Sequence, residues 1–510
     1  MTQRKCSDVT TPPGNEDGGQ DLYSEDLKKK TRSSIWWTVF RVASDQLFSF
    51  VVFVILARVL SPHEIGTFAI AYVFSEVGRI IAVGGLAQDI ARAKTMSPAL
   101  ADTVFWTNLI LALVVALTAL VLARPVLGLM HQPDAAGPLQ ALGFVLPISA
   151  LGATHMALRL REFGHKSLAL RSVVSGTMGG GAAIAAALAG WGVWSLVIQR
   201  FVTEVVSTIT SWHAHKWVPG RGFSFAQLRT IAGFGANLTL TQIIFVLVAR
   251  VQDVIVGAMI SAAAVGTYRT AWRTTELIAV GAIQPFTTVA LQTLSRLQGD
   301  REGMVKAYRW MLSTSAVISF PALVGFGVVA PDAVPAIYGA KWVEAGHLAQ
   351  AFAFMVVPFT LNYFAGPVLS ALGMGANMRT LAIVQLVLTV ALTMLAAPYG
   401  IFAVACAYVG RAYLTLPLQI WFLRQSAGIT LRITLRAIAA PFFASAIMGV
   451  AVWCIMAAVR PHISVALVAV LVGVAAGIVI YSVALLALSR QIRGVVRRQF
   501  VTRILKRPAK

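Results

Sequence analysis

Charged residues recur inside the apolar stretches of this 510-residue chain, in pairs that would share one face of a helix. Five pairs have a basic and an acidic side chain three or four positions apart: Arg41/Asp45, Glu76/Arg79, Arg200/Glu204, Arg250/Asp253 and Arg273/Glu276. On a helix, such neighbours can form an ion pair. Because a charge at the centre of a bilayer costs at least about 2.5 kcal/mol, each must find a partner or a polar cavity. The pairs therefore predict either links between helices or the lining of a cavity. The first alternative applies most to Arg200/Glu204 and Arg250/Asp253, which lie nearer predicted helix ends.

Basic groups outnumber acidic groups within these stretches, seven to five. Arg269 and Arg411 have no acid within helical reach. A guanidinium group holds a phosphate with paired hydrogen bonds, so surplus arginine indicates binding of an anionic group. Tyr72, Trp272 and Gln242 would offer aromatic and amide surface to a sugar.

These residues form the candidate site. The candidate substrate-binding residues are Arg41, Arg79, Arg269, Arg273, Arg411, Trp272, Tyr72 and Gln242. The candidate ion-coupling or gating residues are Asp45, Glu76, Asp253 and Glu276. We expect the acids to pair with the arginines in one state of the protein and to be released or protonated in another.

The composition indicates the kind of element that holds these charges. Hydrophobic residues make up 57% of the chain and charged residues 12%, and the mean hydropathy is +0.75. A soluble fold of this size would have too little charge to cover its outside. Apolar segments of about twenty residues follow one another between residues 35 and 488, each long enough to span a bilayer as a helix. The sequence predicts an all-α polytopic membrane protein with about fourteen transmembrane helices, and it excludes most soluble enzyme classes.

The net charge of +22 is distributed unevenly between the two sides of the membrane. With a cytoplasmic N-terminus, 31 basic residues fall in inner segments and 4 in outer segments. Positive charge accumulates in cytoplasmic loops, so this distribution predicts that both termini are cytoplasmic. It also accounts for the basic character without a nucleic-acid partner.

An internal repeat relates two parts of the chain. The segment at 60–68 aligns without gaps with 260–268, and the offset of 200 continues to Glu76 and Glu276. Six predicted helices separate the copies, and an even number gives parallel repeats. The repeat predicts two six-helix lobes followed by two further helices.

The predicted division of the chain follows from these observations. It comprises a disordered cytoplasmic tail at 1–34, the first lobe at 35–215, a cytoplasmic linker at 216–230, the second lobe at 231–424, two more helices at 425–489 and a basic cytoplasmic tail at 490–510.

Motifs for enzymatic chemistry are missing from the sequence. There is no G-x-x-x-x-G-K-[ST] loop, no H-E-x-x-H and no C-x-x-C, so we expect no ATP hydrolysis, no metal and no other cofactor. The outer segments are also too short to carry a catalytic group. The sequence therefore indicates that the chain is not an enzyme.

Four segments carry a resemblance to a known family. They are LSPHEIGTF at 60–68, MALRLREFGHKS at 156–167, GVWSLV at 192–197 and YGAKW at 338–342. Over roughly residues 35–430 the chain resembles the Wzx-type flippases of bacterial surface polysaccharide synthesis, within the multidrug/oligosaccharidyl-lipid/polysaccharide exporter superfamily. The exporters of succinoglycan and colanic acid look most similar in style.

The resemblance implies a V-shaped, two-lobed bundle with a cationic central cavity that works by alternating access. It implies a multi-pass protein of the bacterial inner membrane that moves undecaprenyl-diphosphate-linked repeat units to the outer leaflet. The implied partners are the lipid-linked oligosaccharide, membrane lipids and other polysaccharide assembly proteins. Asp45 lies on the helix where the drug-exporting branch often has an ion-coupling acid, but the residues around it do not reproduce that motif.

Two alternatives remain open at the level of the sequence. A cation-coupled multidrug exporter would share the fold, although surplus arginine counts against a cavity for cationic drugs. A membrane polymerase acting on lipid-linked sugars would need a sizeable outer loop, which the sequence does not provide.

Overall fold

The computed structural model of the chain describes residues 46, 48–92, 97–162, 165–462 and 465–489. Within these ranges every regular element is a helix. The tails predicted at 1–34 and 490–510 lie outside the described residues, as do the candidate site residues Arg41 and Asp45.

The described helices follow one another with short connections. They are α1 (Phe48–Val59), α2 (Pro62–Arg79), α3 (Leu86–Arg92), α4 (Pro98–Leu129), α5 (Ala136–Gly143), α6 (Val145–Arg161), α7 (His165–Leu188), α8 (Trp194–Ala214), α9 (Phe225–Met259), α10 (Ala262–Arg296), α11 (Arg301–Tyr338), α12 (Val343–Ala353), α13 (Val356–Ala371), α14 (Gly375–Ala396), α15 (Ile401–Leu414), α16 (Leu416–Ala427), α17 (Leu431–Val459) and α18 (Ala466–Leu488). A π-helical turn at Ile80–Gly84 joins α2 to α3, and short 3₁₀ turns lie at Pro133–Ala135, Ala340–Trp342 and Ala397–Tyr399.

The chain is an all-α polytopic membrane protein. In the described part, nine helices or continuous helix runs are long and apolar enough to cross a membrane. The helical segments Ala340–Ala353 and Val356–Ala371, which contain α12 and α13, meet at a bend of 61° and would make a tenth span if they cross the membrane together. Helices α1, α7, α8 and α10 overlap the other predicted spans, and α8 and α10 carry internal charges. The count of fourteen is compatible with this arrangement and stays a prediction.

Two of the long apolar helices, α4 and α9, present most of their side chains outward. Only 11% of the most apolar stretch of α4 and 6% of that of α9 is buried inside the protein. In a bilayer, lipid tails cover such surface as well as a protein core would, so the exposure agrees with a membrane location.

Packing divides the described helices into two groups. The first group comprises α2 and α4–α8 and the second comprises α10–α16, and α2 packs most extensively on α10 of the second group. Helices α17 and α18 pack on α11 through a separate apolar cluster that includes Met448, Met456 and Tyr481. Helix α9 contacts both groups. It begins at Phe225, whereas the predicted linker extends to residue 230.

The two copies of the repeat start their helices in the same way. Ser61 caps α2 in a reciprocal box: its hydroxyl accepts from the Glu64 N–H, and its own N–H donates to Glu64 Oε2 at 2.7 Å. Two hundred residues later, Ser261 caps α10 and accepts from the Ala264 N–H at 3.1 Å. Such caps satisfy N–H groups that the first helical turn leaves free. We call this side of the bundle the turn end.

At the turn end the first helical turns of α2 and α10 cross in near-symmetric contact. A Cβ on Gly66 would lie 1.6 Å from the Ala262 oxygen, and one on Gly266 would lie 1.9 Å from the Pro62 oxygen. Gly66 thus faces Ala262, and Gly266 faces Pro62, which is the position equivalent to Ala262 in the other copy of the repeat. The offset of 200 is therefore visible as an approximate two-fold axis between Gly66 and Gly266.

A set of hydrogen bonds beside this crossing also joins the two groups. Arg58 donates to the carbonyls of Ile337 at 2.7 Å and Ala336 at 2.9 Å. Lys341 Nζ donates to the Arg58 oxygen at 2.9 Å, and Trp342 Nε1 donates to the Ala57 oxygen at 2.8 Å. We call these contacts the clamp. The clamp and the glycine crossing hold the two groups together at the turn end.

The connection between α8 and α9 lies at the opposite side of the bundle, which we call the linker end. The Asp102 carboxylate at the start of α4 accepts from the Gly220 N–H at 2.9 Å and from the Gly222 N–H at 3.1 Å. Trp106 Nε1 donates to the Gly220 oxygen at 2.9 Å. The connection is thus attached to the first group of helices.

Candidate functional site

A cavity of about 330 Å³ lies between the two helix groups, and we call it the central cavity. Helices α1, α2 and α8 line one side, and α9, α10 and α15 line the other. Its polar and aromatic lining consists of Ser49, Phe53, Phe68, Tyr72, Gln199, Arg250, Arg269, Trp272, Arg273, Glu276 and Tyr408. The cavity therefore combines guanidinium groups with aromatic and amide surface.

Helix α10 supplies four of these residues from one face. Positions 269, 272, 273 and 276 follow the spacing that places side chains on one side of a helix. Trp272 stacks on Phe359, with ring centroids 5.6 Å apart, and meets the Tyr408 ring edge-on at 5.1 Å. This aromatic packing holds the face of α10 in place.

Arg269 is engaged in a buried ion pair. Its Nε donates to both carboxylate oxygens of Asp253 at 2.6 Å, and its Nη2 also contacts that carboxylate. The Asp253 side chain is fully buried. The sequence allowed Asp253 to pair with Arg250, three residues away, and left Arg269 to an acid from another helix; in the structure Asp253 pairs with Arg269. The carboxylate instead links α9 to α10 across the turn that joins them.

Arg250 consequently lines the central cavity without an acidic partner among the described residues. Its guanidinium carbon lies 5.7 Å from the centre of the Tyr72 ring. Sequence reasoning missed Arg250 because Asp253, three residues away, looked like its partner. The signal in the sequence was Arg269, which follows the turn between α9 and α10 and can therefore compete with Arg250 for Asp253.

Tyr72 is the centre of a network in the first group of helices. Its hydroxyl donates to Glu76 Oε2 at 3.1 Å, and the same carboxylate receives Arg79 Nε at 3.1 Å and Nη2 at 2.5 Å. The Arg200 guanidinium carbon lies 5.6 Å from the Tyr72 ring centre. The aromatic ring is thus in cation–π range of arginines from α8 and α9.

Arg273 connects the two helix groups across the central cavity. Its Nη2 donates to the Ser49 hydroxyl on α1 at 2.7 Å, whereas its Nη1 lies 3.8 Å from Glu276 Oε2. Both side chains of this loose ion pair are about one third exposed. Arg273 can therefore change partners without leaving a buried charge unpaired.

Two other predicted residues lie away from the cavity lining. Arg411 is only 5% exposed, its Nε has no hydrogen-bond partner, and its guanidinium lies 4.3 Å from the Tyr408 ring centre. Tyr408 lines the cavity and Arg411 does not. Gln242 donates to the Gly84 carbonyl at 3.2 Å, at the π-helical turn.

The structure thus brings together most, but not all, of the predicted set. Tyr72, Arg269, Trp272, Arg273 and Glu276 line the central cavity. Glu76 and Arg79 adjoin it through Tyr72, and Asp253 lies behind Arg269.

Charge in this cluster is not balanced. Among the described residues, the cluster has five guanidinium groups and four carboxylates: Arg79, Arg200, Arg250, Arg269 and Arg273, with Glu76, Glu204, Asp253 and Glu276. Each carboxylate has an arginine within 4 Å, and Arg250 is the cation left over. A low-dielectric space with one unpaired cation favours an anion.

A second space adjoins the central cavity in the first helix group. This side cavity of about 760 Å³ lies between α1, α2, α7 and α8. It shares Ser49, Tyr72 and Gln199 with the central cavity, and hydroxyl groups from Ser172, Ser175, Thr177 and Thr203 add to its lining. Hydroxyl and amide groups of this kind can exchange hydrogen bonds with a polyhydroxylated molecule.

Comparisons with known proteins agree with this architecture. Residues 55–347, more than half of the chain, match the family described as "Polysaccharide biosynthesis protein". The chain is 24% identical over 465 residues to "Succinoglycan biosynthesis transport protein ExoT" of Rhizobium meliloti (strain 1021), covering 91% of this chain and 94% of that protein. It is 24% identical over 319 residues to "Lipopolysaccharide biosynthesis protein WzxC" of Escherichia coli (strain K12), covering 62% and 65%.

A solved structure shares the fold. The lipid II flippase MurJ, in an inward closed conformation, aligns with a TM-score of 0.75 at 13% identity, covering 90% of this chain and 99% of that chain. The relatives that are named by activity are a transport protein and a flippase, in agreement with the expectation that the chain is not an enzyme. The resemblance to Wzx-type proteins is confirmed. The chain belongs to the polysaccharide biosynthesis protein family.

Proposed function

We propose that this protein is a flippase that moves undecaprenyl-diphosphate-linked oligosaccharide repeat units across the bacterial inner membrane, for surface or exopolysaccharide assembly. The Arg250 guanidinium, which has no acidic partner in the described part of the chain and lies in a cavity between two repeat-related helix groups, carries the proposal. A transported diphosphate would provide the anion that this cation lacks.

The central cavity suits the head of such a substrate. Arg250 and Arg273 lie on the same lining, and Arg273 holds its present partners through one hydrogen bond and one loose ion pair. Guanidinium groups can bind phosphate oxygens in pairs. The hydroxyl-lined side cavity would accept part of the sugar, and the polyprenyl chain would stay in the surrounding lipid.

Closure at the turn end supports transport by alternating access. Under the proposed orientation, with both termini and the linker end in the cytoplasm, the clamp and the Gly66–Gly266 crossing close the cavity toward the outside. Transport would require these contacts to separate while the groups approach each other at the linker end. The hydrogen bond from Arg273 to Ser49 also joins the two helix groups. A substrate that binds Arg273 would therefore weaken one link between the groups.

The charge pairing argues against export of cationic drugs. Every carboxylate of the described cluster has an arginine within 4 Å, so none faces the central cavity alone. A cationic drug would instead meet the positive charge of Arg250, which has no acidic partner among the residues that the structure describes.

Deletion of the gene in the native host tests the substrate. We expect complete lipid-linked repeat units to accumulate on the cytoplasmic side while surface polysaccharide is lost. Extraction and mass spectrometry of the undecaprenyl-linked pool, with an impermeant probe for sidedness, would measure this. Unchanged polysaccharide and lipid pools, in a host without a second copy of the gene, would contradict the proposal.

Complementation of the deletion strain tests the site. Arg250→Gln should reduce polysaccharide export about tenfold to a hundredfold, since a charge-assisted contact is worth about 1.5–3 kcal/mol. Arg250→Lys should restore part of the export, because it keeps the charge. Arg229→Gln, at an exposed position near the start of α9, is the matched control. Equal export by Arg250→Gln and Arg229→Gln, at equal amounts of membrane-inserted protein, would exclude Arg250 from the binding site.

A further inference from the structure

A groove of about 580 Å³ lies at the linker end, away from the central cavity, on the surface of the second helix group. One wall comes from α16 and the end of α15, and the other comes from the start of α17. The residues that matter for its chemistry are Ile420, Trp421, Arg424, Leu431 and Arg432. It shares no residue with the central cavity.

The walls of this groove are apolar and open to the outside of the bundle. The Trp421 side chain is 54% exposed and Leu431 is 50% exposed. Exposed aliphatic and aromatic surface on a membrane protein lies against lipid acyl chains, and tryptophan favours the interface between the chains and the headgroups. The groove therefore lies at the depth where one lipid changes from tail to headgroup.

Arginines at the edge of the groove give it a charge. Arg424 and Arg432 are both exposed, and neither side chain has an acidic partner within 4 Å among the described residues. The first turn of α17, which begins at Leu431 after the Thr430 cap, adds the positive end of a 29-residue helix. An apolar wall that ends in two unpaired guanidinium groups complements an anionic amphiphile.

We propose that this groove is a binding site for an anionic phospholipid of the surrounding membrane. The lipid phosphate contacts Arg424 and Arg432, and one acyl chain lies along Ile420, Trp421 and Leu431. The bound lipid fixes the turn between α16 and α17 at the membrane surface. This site is independent of the transported substrate, because the groove and the central cavity are separate.

Native mass spectrometry of the purified, full-length protein tests the proposal. Wild-type protein should retain dioleoyl-phosphatidylglycerol in preference to dioleoyl-phosphatidylcholine. The double variant Arg424→Gln/Arg432→Gln should lose about thirtyfold in affinity for phosphatidylglycerol, from the usual contribution of two basic residues at an anionic surface. The matched control is Arg221→Gln/Arg229→Gln, which removes two exposed arginines from the linker end of the first half and should bind like wild type.

The other outcomes would overturn the proposal. Retained preference in the groove variant, or equal loss in the control, would show that general surface charge attracts the lipid. Displacement of phosphatidylglycerol from wild-type protein by an equal concentration of undecaprenyl diphosphate would assign the groove to a carrier lipid instead. A second measurement needs no charge variant. Phosphatidylglycerol with brominated acyl chains should quench the tryptophan fluorescence of wild-type protein more than that of Trp421→Phe. Equal quenching in wild type and Trp421→Phe would contradict the proposed position of the acyl chain along Trp421.

Discussion

Replacement of Gly66 by alanine should open the turn end of the protein. The added Cβ would lie 1.6 Å from the Ala262 oxygen, and real Cβ atoms essentially never approach closer than 3.0 Å. The obstacle is backbone rather than a flexible side chain, so α2 and α10 must separate by at least about 1.4 Å at this point. Overpacking of a tight contact costs about 1–3 kcal/mol, which would lower the ratio of closed to open protein about 5- to 150-fold.

A distance measurement across the turn end would detect this change. Spin labels at Val59 and Val343, both exposed and on opposite sides of the clamp, report the separation of the two helix groups. The labels require a background in which the three native cysteines, Cys6, Cys406 and Cys454, are replaced by serine. Double electron–electron resonance should show a shift to longer distances in Gly66→Ala, and Gly266→Ala should give the same shift because of the approximate two-fold axis.

The control for this experiment lies on the same helix as Gly266. A Cβ on Gly281 of α10 would meet nothing within 4 Å, so Gly281→Ala should keep the parent distance distribution. An unchanged distribution in both Gly66→Ala and Gly266→Ala would refute the inference that the crossing controls closure.

Further predictions concern the buried charges of the second helix group. Asp253→Asn should lower the free energy of unfolding by about 3–5 kcal/mol, because it leaves Arg269 buried without a counter-charge. Thermal unfolding in detergent would measure the loss. The double variant Asp253→Asn/Arg269→Met should recover much of the lost stability, because it removes the buried charge as well. Arg411→Met should leave stability unchanged or raise it by about 1 kcal/mol, because this buried guanidinium has no acidic partner among the described residues and lies against the Tyr408 ring. A clear loss of stability in Arg411→Met would show that the contacts of Arg411 in the membrane are stronger than the structure indicates.

Much of the fold followed from local patterns. Apolar segments of about twenty residues predicted helices because a lipid environment leaves the backbone no other open-chain way to form its hydrogen bonds. The caps at Ser61 and Ser261, which the structure adds at the starts of α2 and α10, are local as well, because a capping side chain acts within its own helical turn. The repeat predicted that Glu76 and Glu276 would occupy equivalent helices.

The candidate site was predictable only in part. Residues on one face of α10, such as Trp272 and Arg273, line the central cavity as their spacing indicated. Gln242 and Arg411 do not line it, because the orientation of a helix about its own axis depends on its neighbours. Arg41 and Asp45 lie outside the described residues, so their assignment stays a prediction.

The sequence by itself determined that this protein is helical, lies in a membrane, carries a repeat and has more cations than acids within its apolar segments. These properties are sums or periodicities along the chain. Only the tertiary structure decided which cation of the described cavity cluster has no acidic partner. Asp253 could reach Arg250 along its own helix or Arg269 across the hairpin, and packing of α9 against α10 gives it to Arg269. Proximity across the hairpin, rather than spacing in the sequence, therefore leaves Arg250 as the cation of the described cluster that has no acidic partner.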